Sequence, residues 1–254
     1  MSAILVLFFL SFFQADPEPL PDVSSFLAEF RKTLHNDNVL LSQYTYSEKR
    51  THIELDSRGR PGDTAVEVYE ITGGSDPSIL YRRRISKNGV PVRDEKPEKI
   101  RRAGLRDDTE LIEDVFGVYD IQIAGREDID GRPTIRLTFK PRADYKPKTR
   151  QGTILKHTAG QAWVDESDYQ LARVEAEVID TISMGFGLLA KLHKGARVYA
   201  ERRKINDEVW LPAKTEVSVR GRIFLVKGIN MREIVEYSDY MKFTVDTNLE
   251  YPKE

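Results

Sequence analysis

The stretch Leu171-Ala172-Arg173-Val174-Glu175-Ala176-Glu177-Val178 decides the fold class. From Ala172 onward it alternates, with Ala172, Val174, Ala176 and Val178 on one side and Arg173, Glu175 and Glu177 on the other. A period of two places successive side chains on opposite faces of a strand, so this segment reads as a strand with one buried and one wet face. The same pattern extends in both directions. Ile135, Leu137 and Phe139 alternate with Thr134, Arg136 and Thr138, and Val209, Leu211, Ala213, Val217 and Val219 share a face. Strands are predicted over 43–55, 64–72, 78–87, 118–127, 133–140, 152–165, 169–179, 196–205, 208–219, 222–236 and 240–246. Asn88-Gly89, Asp130-Gly131 and Asn206-Asp207 supply tight turns between them.

Connections this short imply antiparallel pairing, since parallel strands need crossovers of a dozen residues or more. Many of these strands run to about ten residues, where five or six is usual. Long strands with one apolar face must cover it, and a strongly curved sheet with helices in its concavity does so. Two helices are predicted. One follows Asp22 or Ser24 and puts Phe26, Leu27, Phe30 and Leu34 on one face; the other starts near Asp107 and carries Leu111, Ile112 and Val115.

A chain of 254 residues, 40% hydrophobic and 31% charged, is neither disordered nor membrane-embedded. Its 39 basic and 41 acidic residues leave a formal charge of −2. That argues against nucleic acid as the main partner, which requires a basic excess on one face. Cysteine is absent, which excludes disulfides, thiolate metal sites, a cysteine nucleophile and a lipid-modified cysteine. Ala3 to Phe13 is apolar except for Ser11 and is too short to cross a hydrocarbon core of about 30 Å. Followed by Asp16-Pro17-Glu18-Pro19, it has the layout of an export signal, with Ala15 before Asp16 as the cleavage point. Residues 1–15 thus read as a signal peptide, 16–40 as a spacer and helix, and 41–254 as one curved-sheet domain.

Catalytic and metal-binding patterns do not emerge. The four histidines are scattered, and no nucleophile elbow, P-loop or S-x-x-K motif occurs. Asp128 and Asp130, and Asp165, Glu166 and Asp168, fall at predicted turns, where Asp is favoured for backbone reasons. No catalytic residue, metal ligand or cofactor is therefore expected. Arg82–Arg84 and the loop Lys140–Lys156, with six basic residues against Asp144, read as solvated surface balanced by nearby acids; the other reading is contact with an anionic partner. The connection from Thr181 to Gly195 is unusual because it carries Ile182, Met184, Phe186, Leu188, Leu189 and Leu192, whereas loops are ordinarily polar. It reads first as a short helix plugging the open end of the sheet, and second as a movable lid.

Several signatures resemble bacterial outer-membrane lipoprotein-sorting-like proteins, the superfamily of the Lol-type lipoprotein carrier and RseB. They are Ala162-Trp163-Val164-Asp165, Leu171-x-Arg173-x-Glu175, Leu192-x-Lys194-Gly195, Glu208-Val209-Trp210-Leu211-Pro212 and Tyr237-Ser238-Asp239-Tyr240-x-Lys242-Phe243. Tyr44-x-Tyr46-x-Glu48 and Asn88-Gly89-x-Pro91 are similar to the same group. The lid-holding arginine of the carrier and its aromatic-rich early strands have no counterpart here. The resemblance implies a mainly β (α+β) fold: a strongly curved antiparallel sheet forming an unclosed barrel, with a few helices over its concave face. It also implies a non-enzymatic periplasmic protein that holds an acyl chain or the lipid moiety of a lipoprotein in the hollow. On that reading Ile182, Met184, Phe186, Leu188, Leu189 and Leu192 form the lid, and Trp163, Val174, Ala176, Trp210 and Leu211 are candidate cavity residues. The alternative is a sensor or interaction module that engages a membrane-associated protein partner and carries no lipid.

Overall fold

The computed structural model describes residues 18–34, 41–74, 76, 78–101, 109–184, 190–223 and 227–242. The expected signal segment 1–15 and the lid residues Phe186, Leu188 and Leu189 lie outside them.

Helix α1 (Val23–Thr33) starts at Asp22, whose carboxylate accepts from the Ser25 amide at 2.9 Å and satisfies one of the free first-turn N–H groups. Strands β1 (Tyr44–Leu55), β2 (Pro61–Gly73), β3 (Ile79–Lys87), β4 (Val90–Pro91) and β5 (Glu98–Arg101) follow. Helix α2 (Thr109–Val118) runs directly into β6 (Tyr119–Ile129), which turns at Asp130-Gly131 into β7 (Arg132–Pro141). Both turn residues have positive φ, +53° and +78°, the left-handed conformation that a tight hairpin requires and that Asp and Gly tolerate. The chain continues through helix α3 (Arg150–Leu155), β8 (Thr158–Asp165), β9 (Leu171–Val178), β10 (Ile182–Met184), β11 (Ala190–Leu192), β12 (Arg197–Ile205), β13 (Val209–Ile223) and β14 (Lys227–Lys242).

All described strands join one antiparallel sheet in the order β4-β3-β2-β1-β14-β13-β12-β9-β8-β7-β6, with β5 on β3 and the β10–β11 pair on β13. The ends, β4 and β6, do not pair, so the sheet is an unclosed barrel, as expected. Within it β1 pairs with β14, which brings the first and last described strands side by side.

Three local expectations are corrected. The strand predicted over 152–165 begins only at Thr158, because Thr149 accepts from the Gly152 amide and caps a short helix there. The two strands predicted over 222–236 and 240–246 are one, β14, with a register shift against β1 near Asp239, whose φ is +55°; a bulge continues a strand that sequence alone breaks. The 181–195 connection carries a two-stranded β element in place of a plugging helix: Ile182 pairs with Leu192, and Leu192 with Gly221 of β13.

Three apolar clusters hold the sheet. Phe26 and Phe30, four residues apart on α1, pack on Ile135, Leu137, Ala162 and Val164. A second cluster joins Tyr44, Tyr46, Ile71, Leu80, Val209 and Leu211. The third is Val178, Ile182 and Ala196, with Leu192 and Val219 against them.

Candidate functional site

Residues paired across an antiparallel sheet point to the same side, so the registers assign the two faces. On the face that carries α1, one row runs Leu137–Ala162–Val174–Ala200–Thr215–Val235 and the next runs Phe139–Gly160–Ala176–Val198–Val217–Glu233. Helix α1 covers the β7–β9 end of these rows. Ala200, Val198 and Val217 fall outside all three clusters, and Val198 is 42% exposed. At the β14–β1 end the rows turn charged. Arg50 bridges the buried Glu48 and, at 3.4 Å, Glu233. Among the described residues an apolar strip, half-buried at Ala200 and Val217 and exposed at Val198, thus lies between the α1 cluster and an ion-paired border.

The second feature, a trough of about 730 Å³, is lined mainly from the opposite face, and Gly160, Ala176 and Val198 of the first face also border it. One lining row is Ala159–Glu177–Arg197–Ser218–Arg232–Ile53, each residue paired with the next across β8, β9, β12, β13, β14 and β1. A parallel row, Gln161–Glu175–Tyr199–Glu216, also lines it, and Leu55, Gly59 and Pro61 at the β1–β2 turn close one end. Five strand spacings make it about 24 Å long. Arg197 Nε lies 3.0 Å from Glu177, and Arg232 Nη2 lies 2.7 Å from Glu216. Glu175 makes no ion pair or hydrogen bond among the described residues.

Tyr199 is positioned by a stack of cations and rings. Arg173 lies over Trp163 at 5.6 Å and over Tyr199 at 5.7 Å, and Lys214 lies over Tyr199 at 5.5 Å. The Tyr199 hydroxyl donates to Glu201. Burial first, and then that hydrogen bond, push its pKa up to about 12. It stays protonated, a fixed donor beside the trough.

The expected cavity residues divide among several surroundings. Val174 packs on the α1 cluster and Ala176 borders the trough. Leu211 is buried among the tyrosines of the second cluster. Trp163 donates from its indole N–H to Glu127 at 2.7 Å, and Trp210 donates to Asp168 at 2.9 Å. Of the lid residues, Ile182 and Leu192 pair at the base of the β10–β11 element and Met184 ends β10.

The acidic turns and basic stretches have structural partners. Asp168 accepts from Lys204 and Arg132. Burial raises its pKa, but Lys204, Trp210 and Arg132 outweigh that and hold it below the usual carboxylate range. Arg82, Arg83 and Arg84 pair with Glu98, Glu70 and Glu67. The 140–156 loop is gathered by the buried Asp114, which accepts from the Tyr145 hydroxyl and from the Lys148 and Thr149 amides at 2.7–3.0 Å. Arg82–Arg84 thus have nearby acids, and in the 140–156 loop Lys148 pairs with Glu113 and Lys140 with Asp120. Among the described residues no group of three or more metal-ligating side chains converges, and no helix is long and apolar enough to cross a membrane.

The trough residues were legible only as a wet strand face. Their one signal was the i, i+2 repetition of ionic and polar residues: Glu175 and Glu177, Arg197 and Tyr199, Glu216 and Ser218. That pattern is common to any exposed face, and nothing in it says that six strands align.

No family model and no curated protein matches this sequence. Solved structures do resemble it. A DUF1329 family protein from Desulfovibrio piger is 17% identical, with 90% of this chain and 95% of that chain covered and a TM-score of 0.37. A LolA superfamily protein from Nitrosomonas europaea is 14% identical over 87% and 94%, with a TM-score of 0.33. The lipoprotein LppX from Mycobacterium tuberculosis is 13% identical over 86% and 96%, with a TM-score of 0.30. Lipoprotein-sorting-like proteins are thus among the structures this chain is similar to.

Proposed function

We propose that the protein is an exported, non-enzymatic carrier that holds an acyl chain, free or as the lipid moiety of a lipoprotein, on the helix-bearing face of its open sheet. The observation that carries this reading is the strip at Ala200, Val198 and Val217, which joins none of the apolar clusters of the described residues and of which Val198 is 42% exposed. An acyl chain laid there is driven by burial at about 0.8 kcal/mol per methylene, so about ten methylenes correspond to micromolar affinity. The apolar connection supplies the lid, through Ile182, Met184, Phe186, Leu188, Leu189 and Leu192. The ion-paired border at Glu48, Arg50 and Glu233 faces the polar end of the ligand.

A fluorescent dodecanoate titrated into the purified protein tests the proposal. Saturable binding that Val198→Asp abolishes, with the thermal midpoint kept, supports it. Leu188→Asp is expected to act the same way through the lid. Equal binding by wild type and Val198→Asp, or no binding by either, overturns it.

A further inference from the structure

The transverse trough is lined mainly from the opposite face, and its chemistry points to a ligand other than an acyl chain. Its lining mixes carboxylates, guanidiniums, a tyrosine and a few apolar side chains, which suits a chain with polar groups along its length better than hydrocarbon. Arg197 is engaged by Glu177, and Arg232 by Glu216. Glu175, exposed between Gln161 and Tyr199, is the lining charge left without a counterion among the described residues. At the far end Ile53 and Leu55 present aliphatic surface beside Pro61.

Glu175 on β9 and Ile53 on β1 are separated by four strand spacings, through β12, β13 and β14. At about 4.8 Å each that is roughly 19 Å. An extended peptide advances about 3.3 Å per residue, so residues contacting these two points are about six positions apart. Six is even, and side chains of an extended chain alternate, so both face the trough together.

We infer that the trough is a docking site for an extended peptide segment of a partner protein, laid across the strands, with a lysine or arginine at Glu175 and an aliphatic residue six positions away at Ile53 and Leu55. Tyr199, held in place by Arg173 and Lys214, gives the basic side chain a flat neighbour. Its two contact points, Glu175 and Ile53, lie outside the lipid strip, which the trough meets at Val198, and it needs none of the lid residues.

The test is fluorescence anisotropy on the whole protein with a labelled peptide Lys-Thr-Ser-Thr-Ser-Thr-Leu. Saturable binding is expected, weakened about tenfold by Glu175→Gln, the loss of one charge-assisted contact. A peptide with leucine moved by one position is expected to bind equally poorly, because the move turns that side chain away. Glu54→Gln, next to Ile53 but alternating to the other side, is expected to leave binding unchanged. Absence of saturable binding overturns the inference, as does full affinity in Glu175→Gln or for the shifted peptide. Dodecanoate binding in Glu175→Gln is expected at the wild-type level; its loss would merge the two sites and also overturn the inference, whereas failure of the peptide alone leaves the carrier reading standing.

Discussion

Arg132 grips Asp165 with two hydrogen bonds, from Nε at 2.6 Å and from Nη2 at 3.0 Å, one to each carboxylate oxygen. Asp165 is 1% exposed and also accepts from the Ser167 and Asp168 amides, so a single carboxylate ties β7 to the β8–β9 turn. Asp165→Ala removes these charge-assisted hydrogen bonds, but Arg132 is 30% exposed and keeps Asp168 at 3.0 Å, so the expected loss is about 1.5–3 kcal/mol. Asp165→Ala is expected to lower the urea midpoint by a corresponding amount, whereas Glu236→Ala, which breaks the exposed pair with Lys49, is expected to cost less than about 1 kcal/mol. Equal losses would contradict the structural role given to Asp165.

Asp114 carries a pH dependence. Burial raises its pKa, but the Thr149 hydroxyl, the Lys148 and Thr149 amides and the Tyr145 hydroxyl outweigh burial and hold it below the ordinary carboxylate value. A group whose folded pKa is depressed stabilises the fold above its unfolded pKa, about 3.9, and loses that contribution as pH falls through the folded value. Urea melts from pH 6 down to pH 2.5 are expected to show wild type losing its stability advantage over Asp114→Asn below about pH 4. A difference that stays constant with pH would contradict this.

Gly152 packs directly on that carboxylate. A Cβ there would come within 2.1 Å of Asp114 Oδ2, so Gly152→Ala cannot gain the stability that alanine normally brings to a helix. The substitution is expected to destabilise by about 1–3 kcal/mol, read as a fall in thermal midpoint. A rise would mean that Asp114 and the 140–156 loop separate freely.

Phe30, 6% exposed, anchors α1 on the sheet and meets Phe116 edge-on at 6.0 Å. Phe30→Ala is expected to cost about 3–5 kcal/mol. If α1 instead opens as a unit to uncover the sheet, the same variant will bind more dodecanoate at a small cost in stability, and titration beside the melt distinguishes the two.

Most strands and turns from residue 41 onward were legible because period two and tight-turn residues are local signals; the short strands β4, β5, β10 and β11 were not, since two to four residues are too few to show a period. Ala172–Val178 is seen as β9, and Asp130-Gly131 turns as expected. The helical face of Phe26 and Phe30 was legible for the same reason. The short helix at 150–155 was not, since its stability comes from Thr149 and from Asp114 more than thirty residues away. Nor was the continuity of β14 through Asp239, because a bulge breaks the alternation without ending the strand. Of the candidate site residues, Ala176 borders the trough, while Trp163 and Trp210 are committed to Glu127 and Asp168.

The amino-acid order by itself determined a long-stranded antiparallel sheet with one apolar and one ionic face, since both follow from residues one or two positions apart. Only the tertiary structure decided that β1 lies beside β14 and β12 beside β9. Those pairings line up Glu175, Tyr199 and Glu216 across the sheet and leave Val198 42% exposed. Pairing register depends on contacts between residues far apart in the chain, such as Lys49 with Glu236, 187 positions away, and no local period encodes it.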